Sequence, residues 1–172
     1  MNNTILERQR KVNRYLLIHF AIVLILPFFL NVFSGLWDYV VLFIATGVVL
    51  AFFDRRYGQY LFWCAAFIVY MVKEIIFSNL ALAWLIIQPK MKIDPGIVGI
   101  PLTVTTNMEI IVLSLAIAAT PGTLVVDLGK NADGEYVLYV HTINVGNPED
   151  FRALIKNGFE RMVLRISQGA TQ

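Results

Sequence analysis

The stretch LIIQPKMKIDPGIVGI, residues 85–100, separates two parts of the chain that differ in composition. Long apolar runs dominate the sequence before it, and short apolar segments alternate with turn residues and charges after it. Overall 58% of the residues are hydrophobic, against roughly 45–50% in soluble domains. The composition predicts a basic N-terminal tail (1–14), a membrane region (15–88), a linker (89–96) and one water-facing α+β domain (97–168).

Two apolar segments with almost no charge follow one another in the membrane region. No Asp, Glu, Lys or Arg occurs between Tyr15 and Trp37, and the next run carries only Asp38 at its start. A membrane-spanning helix needs about 20 apolar residues. The pattern therefore predicts a transmembrane hairpin with spans at about 15–33 and 38–53. The first run lacks a small-residue cleavage site, so we expect a retained anchor rather than a signal peptide.

Basic residues flank the predicted hairpin on one side of the membrane. The loop between the two spans carries only the acidic Asp38. By the positive-inside rule, the N-terminus and the end of the second span are both predicted to be cytoplasmic. The residues that carry this prediction are Arg8, Arg10, Lys11, Arg14, Arg55 and Arg56.

A third apolar segment, residues 60–87, leaves its topology open. At about 1.5 Å per residue, a helix of this length could cross the bilayer. However, Lys73 and Glu74 lie near its middle, and Lys90 and Lys92 follow its end. Either the segment lies tilted or re-entrant against partner proteins, or it crosses and carries the C-terminal domain outside. The distribution of basic residues favours the first arrangement.

Lys73 and Glu74 are the candidate functional residues of the membrane region. Neighbouring residues on a helix point about 100° apart, so we expect each charge to need a partner elsewhere. An ionised side chain at the bilayer centre costs at least about 2.5–3.5 kcal/mol. One hypothesis is an ion or proton pathway lined by Glu74. The other, which we favour, is an inter-subunit salt bridge or snorkelling at the membrane interface.

Other membrane-region residues have ordinary structural interpretations. His19 follows Arg14 closely and is expected at headgroup level, because no second His, Cys or carboxylate accompanies it. Cys64 is the single cysteine, so neither a disulfide nor a thiolate metal cluster can form within the chain. Gly47 and Ala51 have a spacing that permits close approach of another helix.

After the turn signal at Asp94-Pro95-Gly96, the sequence predicts a domain of the order β-α-β-β-α with its helices on one sheet face. The predicted elements are a strand at 97–105, which Pro101 places at an edge or at a bulge, a buried core helix at 108–119 capped by Asn107, strands at 124–128 and 136–145, and a helix after Asn147. In the last helix the apolar face comprises Phe151, Leu154, Ile155, Phe159, Met162, Val163 and Ile166, and the polar face comprises Arg152, Lys156, Glu160 and Arg165.

The domain contains no recognisable catalytic constellation. Asp127 and His141 are its most suggestive pair, but no nucleophile, glycine-rich phosphate loop or metal-ligand spacing accompanies them. We therefore expect no enzyme activity, cofactor or metal, with His141 packed in a strand and Asp127 ending a strand and bonding turn amides. The net charge of +2 without a basic stripe gives no indication of nucleic-acid binding.

Several motifs resemble one known family. The run TPGTLVVD, residues 120–127, resembles the signature of the E-type subunits of the multisubunit cation/proton antiporters of the Mrp type, also called Mnh or Pha. The similarity extends from Tyr15 to about Ile166. Matching segments elsewhere are Lys73-Glu74, Ser78-Asn79, Pro89-Lys90, Asp94–Val98, Tyr136–His141, Pro148-Glu149-Asp150 and Phe159-Glu160. The resemblance implies a structural role for six motif residues, which are Thr120, Pro121, Gly122, Thr123, Asp127 and His141.

The resemblance implies an accessory subunit of a hetero-oligomeric complex in the bacterial inner membrane. Such a complex exchanges sodium or another monovalent cation for protons, chiefly through its large subunits. The expected partners are the other integral-membrane subunits and the lipid bilayer, and the C-terminal domain is expected to be cytoplasmic. The alternative is a stand-alone, membrane-anchored module that presents its cytoplasmic domain to a soluble partner.

Overall fold

The computed structural model describes residues 3–30, 35–91 and 93–169, which form two compact units. Unit 1 comprises Met1–Ala65 and Ile166–Gln172, and unit 2 comprises Ala66–Arg165. The division falls inside one long helix. The second half of that helix therefore belongs to the compact unit that also contains a β-sheet.

Three long helices form the first half of the chain. Helix α1 spans Asn3–Leu30, α2 spans Leu36–Phe53 and α3 spans Arg55–Ile87. Within the described residues, α2 and α3 are long and apolar enough to cross a membrane by length and composition. The predicted end of the first span, at residues 31–33, lies outside the described part of the chain. The predicted combination of apolar helices with a small sheet domain is confirmed.

Helix α3 is uninterrupted over its 33 residues. At about 1.5 Å per residue it measures about 50 Å. A re-entrant segment must reverse its direction within the membrane, which a continuous helix cannot do. The uninterrupted helix favours the tilted or the crossing arrangement over the re-entrant one, and the choice of arrangement stays a prediction.

Unit 2 contains an antiparallel three-stranded sheet in the order β1-β3-β2. Strand β1 spans Gly96–Pro101, β2 spans Thr123–Lys130 and β3 spans Tyr136–Thr142. Strand β1 lies at an edge, as its proline predicts. The register between β2 and β3 shifts by one residue between Val125 and Asp127, which is a β-bulge.

Two strands end earlier than the sequence predicts, because other groups bind their amides. Strand β1 ends at Pro101 rather than at residue 105, and the amides of Thr103 and Val104 donate to the Glu160 carboxylate. Strand β3 ends at Thr142 rather than at residue 145, and the Ile143 amide donates to a turn carbonyl 3.0 Å away.

The helices of unit 2 begin at strong capping residues. Helix α4 spans Asn107–Ala118, and its N-cap is Thr106, so the predicted cap at Asn107 is wrong by one residue. Glu109 completes a capping box by accepting the Thr106 amide at 3.0 Å. Asn147 caps the last helical segment as predicted, since its side chain accepts the Glu149 amide at 3.0 Å. That segment consists of α5 (Pro148–Ile155), a π-helical turn (Lys156–Glu160) and α6 (Arg161–Gly169).

The core of unit 2 lies between one face of the sheet and the domain helices. Burying an aliphatic side chain of this kind contributes about 1.5–3 kcal/mol. The prediction that α4 is a buried core helix is correct for one face only, because Met108, Ile111 and Leu115 are exposed. The principal buried residues are Val98, Ile100, Ile110, Leu113, Ile117, Leu138, Val140, Ile155, Phe159 and Val163.

Glu160 is buried, although the helical pattern places it on the polar face. It is 1% exposed. One carboxylate oxygen accepts the amides of Thr103 and Val104, and the other lies 3.0 Å from the Lys156 ammonium. The wider π-helical turn changes the helical register at this residue. The carboxylate thus satisfies backbone groups in the connection between β1 and α4.

Candidate functional site

Lys73 and Glu74 form an ion pair with each other. The Lys73 ammonium lies 3.1 Å from a Glu74 carboxylate oxygen, and the two side chains are 57% and 20% exposed. The expectation that each of these charges needs a partner elsewhere is therefore wrong. The lysine has a flexible four-carbon stem that reaches across the angle between the two residues. Its ammonium also lies 5.5 Å from the Tyr70 ring centroid and 5.8 Å from that of Phe77.

The polar residues next to this pair are satisfied by the helix backbone. The Ser78 hydroxyl donates to the Glu74 carbonyl at 2.6 Å, and the Asn79 amide donates to the Ile75 carbonyl at 2.8 Å. Among the described residues, no group of three or more His, Cys, Asp or Glu side chains could hold a metal ion. The chemistry available at the pair is that of a locally neutralised salt bridge.

The Thr120–Thr123 turn terminates α4 and attaches it to the sheet. The hydroxyls of Thr120 and Thr123 donate to the Ile117 carbonyl at 2.6 and 2.7 Å. Gly122 has a φ of +87°, a left-handed conformation that glycine adopts without steric cost. Its carbonyl accepts the Ile143 amide at 3.0 Å. In this structure the residues of the TPGT motif act as a helix C-cap and a tether to β3.

The same turn lines a groove against the second half of α3. The cavity has a volume of about 250 Å³. Its walls are mainly apolar, and the hydroxyl and amide side chains among its lining residues provide hydrogen-bonding groups. The lining residues are Ser78, Ala81, Leu82, Trp84, Leu85 and Gln88 on α3 with Pro121, Gly122, Thr123, Thr142, Ile143 and Asn144 on the domain.

Asp127 and His141 lie on the sheet without forming a catalytic pair. Asp127 is directly opposite Tyr139 across the strands, and His141 is opposite Leu124. The Asp127 carboxylate accepts the Leu128 amide at 2.7 Å. Strand β2 continues to Lys130, so Asp127 lies at the bulge inside the strand and does not end it as predicted.

His19 is the centre of a buried cluster in unit 1, and its expected place at headgroup level stays a prediction. Its Nδ1 lies 2.5 Å from the Tyr57 hydroxyl, and its Nε2 lies 2.9 Å from the Phe43 carbonyl. A carbonyl can only accept, so Nε2 carries a proton, and in the neutral imidazole Nδ1 then accepts from Tyr57. The imidazole thereby connects α1, α2 and α3.

Small residues allow the helices of unit 1 to approach this cluster. A Cβ atom on Gly47 would lie 3.2 Å from the His19 ring, which also stacks on Phe43 at a centroid distance of 4.3 Å. A Cβ atom on Gly58 would lie 2.9 Å from that of Ala51. The Gly47/Ala51 spacing in the sequence indicates close helix approach. Nothing in the local sequence indicates that His19 and Tyr57 would be the polar partners.

Comparison with known proteins adds a family relationship. The family model MNHE, described as a Na+/H+ ion antiporter subunit, matches residues 11–166. The E-type Na+/H+ antiporter subunit of Alkalihalophilus pseudofirmus is 30% identical over 159 residues, which are 89% of this chain and 98% of that protein. The E-type Na+/H+ antiporter subunit of Bacillus subtilis is 31% identical over 128 residues, covering 71% of this chain and 79% of that protein.

A solved membrane complex contains a similar chain. That complex is the membrane-bound sulfane sulfur reductase, an archaeal respiratory membrane complex. The match has a TM-score of 0.52 at 26% identity and covers 90% of this chain and 98% of the other. The similarity therefore includes both units of the structure.

Proposed function

The chain belongs to the family of E-type Na+/H+ antiporter subunits, and on that basis we propose that it is an accessory integral-membrane subunit of a multisubunit monovalent-cation (Na+)/proton antiporter. The observation that carries this proposal is the family match over residues 11–166, which includes the membrane helices and the sheet domain. The role of the subunit is assembly, and the exchange chemistry belongs to partner subunits.

Exposed apolar surface on unit 1 supports a role inside a membrane complex. Large apolar side chains of α1 and α2 are exposed in the structure, among them Leu17, Ile44 and Phe52. A monomeric soluble protein rarely exposes contiguous patches of this kind. Lipid and the other integral-membrane subunits are the partners that would cover them.

Unit 2 also presents apolar surface that the described chain does not cover. One patch is the outer face of α4, formed by Met108, Ile111 and Leu115. A second is the outer sheet face, where Ile97 and Leu124 lie on either side of His141. These two faces are the docking surfaces through which the domain would attach to partner subunits.

The topology that fits this function places the N-terminus and the β-α-β-β-α domain, residues 97–168, in the cytoplasm. The basic residues before α1 and at Arg55-Arg56 support the orientation of the hairpin. In that arrangement α1 and α2 are the two spans, and α3 does not make a third crossing. The basic residue at Lys90 supports the same side for the end of α3.

Within this function Lys73 and Glu74 are a structural pair rather than a cation path. Their direct ion pair, and the backbone bonds of Ser78 and Asn79, support this role. Glu74→Gln is expected to lower the amount of assembled complex while transport per complex stays unchanged. Asp150→Asn, which removes a carboxylate from an exposed helix start, is the control. Lower transport at full assembly would instead support a pathway lined by Glu74.

Purification of the tagged chain in mild detergent tests the proposed function. Several integral membrane proteins should co-elute with it, and everted vesicles from a strain that lacks the gene should lose Na+-dependent proton exchange. Expression of the chain should restore that exchange. A tagged chain that elutes alone, from vesicles with undiminished exchange, would contradict the proposal. It would favour the stand-alone membrane-anchored module.

A further inference from the structure

The second half of α3, residues 66–87, faces the sheet domain at both of its ends. At one end Phe67, Tyr70 and Met71 pack against the buried core of unit 2. At the other end Leu82 and Leu85 line the groove against the Thr120–Thr123 turn. From Phe67 to Leu85 these contacts span about 27 Å of helix at 1.5 Å per residue. One side of this half-helix therefore faces the domain.

The opposite side of the same half-helix is an exposed apolar stripe. Its members recur at intervals of three, four and seven residues, so they lie on one helical face. They are all at least 51% exposed. The stripe consists of Val69, Val72, Ile76, Leu80 and Ile87.

The sheet domain cannot accompany this helix into the hydrocarbon. Strands β1 and β2 are open edges of the three-stranded sheet, and lipid-exposed sheet edges do not occur within the bilayer core. The β2–β3 loop also carries exposed charges at Asp133 and Glu135. If residues 66–87 crossed the membrane, the domain packed along them would have to occupy the same depth.

We propose that residues 66–87 lie parallel to the membrane surface, with the stripe inserted into the lipid interface and the sheet domain on the water side. A helix in this position buries its apolar face about 5–10 Å into the boundary between headgroups and acyl chains. The half-helix belongs to a chain with a membrane-type helix, α2, that ends at Phe53, two residues before α3 starts. A helix that lies in the bilayer therefore leads directly into α3, and lipid is the apolar environment available to the stripe.

Residues beside the stripe suit the same lipid surface. Trp84 lines the groove and is largely exposed, and tryptophan is enriched at the membrane–water boundary. Lys73 projects beside aromatic rings, and Lys90 is exposed just beyond the helix. Cations at this level attract anionic headgroups. The inference rests on the proposed membrane function, but its test measures a different quantity.

Depth measurements on single spin labels test this arrangement. The sole cysteine is replaced (Cys64→Ala), and labels are attached at Val69→Cys, Ile76→Cys or Ala83→Cys, which are spaced seven residues apart. Relative accessibility to oxygen and to a water-soluble nickel complex reports label depth in the assembled complex in nanodiscs. Controls at Val41→Cys and Val48→Cys on α2 should differ by about 10 Å along a spanning helix.

A shared shallow depth for the three labels on α3 is the expected result. Successive differences of about 10 Å would show a crossing helix and overturn the inference. Labels shielded from both reagents would show that a partner protein covers the stripe, which overturns it as well. Variants that fail to co-purify with partner subunits are replaced by labels at Val72 and Leu80. Wild-type chain that elutes alone would refute the proposed function, and the label depths would then be measured in nanodiscs that hold this chain alone.

Discussion

Units 1 and 2 are both rich in apolar side chains, but they bury them differently. In unit 2 the sheet and helices enclose a core of aliphatic and aromatic residues, among them Leu113, Leu138 and Phe159. In the described part of unit 1, the buried apolar cluster is limited to Val12, Leu50 and Tyr57 with partly buried neighbours. The remaining large side chains of its helices point outward.

The proposed topology explains this difference by the solvent around each unit, which is lipid for unit 1 and water for the sheet domain of unit 2. Water drives apolar groups together, so the periodic apolar pattern of a water-facing domain becomes a core. Lipid exerts no such force between helices, so small residues and interhelical hydrogen bonds must hold them. Unit 1 fits this expectation, because Gly47 lies against a buried His19 that bonds to Tyr57 and to the Phe43 carbonyl.

The largest expected effect is a cavity in the core of unit 2. Leu113→Ala should lower the free energy of unfolding by about 2–5 kcal/mol, because the buried site cannot fully collapse. Leu115→Ala, two residues along the same helix and 66% exposed, is the control and should change it little. Pulse proteolysis of the detergent-solubilised chain across a denaturant series measures both. Equal losses at the two positions would contradict the described core.

The next effect concerns the buried carboxylate of unit 2. Glu160→Leu leaves the amides of Thr103 and Val104 without an acceptor and should cost about 1–3 kcal/mol. Glu160→Gln keeps an acceptor for them but loses the ion pair with Lys156, so it should cost less. The same proteolysis measurement ranks the two variants. If Gln proved as costly as Leu, the ion pair rather than the amide contacts would be the main stabilising interaction.

A smaller effect is expected in the turn of the TPGT motif. Gly122→Ala should cost about 1–2 kcal/mol through its left-handed backbone, and a Cβ atom there would also lie 3.1 Å from Ile143. Gly134 has a similar φ of +82° but no atom within 4 Å of an added Cβ. Thermal unfolding of the two alanine variants separates the backbone cost from the contact. Indistinguishable midpoints would mean that the contact with Ile143 is unimportant.

The smallest expected effect concerns the hydrogen bond between His19 and Tyr57 in unit 1. A double-mutant cycle with His19→Phe and Tyr57→Phe should give a coupling energy of about 0.6 kcal/mol, typical of interhelical hydrogen bonds in membranes. Unfolding in mixed micelles supplies the four free energies. Zero coupling would mean that packing alone holds the three helices together. A coupling above about 2 kcal/mol would place the link outside the range known for such bonds.

Sequence patterns predict the local features of this protein and miss those set by distant contacts. The cap at Asn147 could be predicted because its partner, the Glu149 amide, is two residues away. The π-helical turn could not, since Gly158 within it lies directly against the Tyr70 hydroxyl from the middle of α3. Substituting Gly158 with any larger residue would place a Cβ atom against that hydroxyl.

The candidate sites also include features that local sequence predicts and features that depend on distant contacts or on side-chain conformation. The TPGT residues form a turn that the sequence indicates, because proline and glycine act locally. The burial of His19 depends on contacts with α2 and α3, which no pattern within α1 can reveal. The reach of Lys73 to Glu74 depends on a side-chain conformation, which residue spacing alone does not fix.

Cysteine accessibility in the β2–β3 loop tests most directly whether the sheet domain of unit 2 faces the cytoplasm while unit 1 lies in the membrane. Ala132 suits the label because it is exposed, whereas the Asn131 side chain accepts the amides of Asp133 and Glu135 and holds the loop. In a Cys64→Ala background, Ala132→Cys should resist an impermeant thiol reagent added to intact cells. It should react in everted vesicles. Reaction in intact cells would place the domain outside the cytoplasm and contradict the proposed topology.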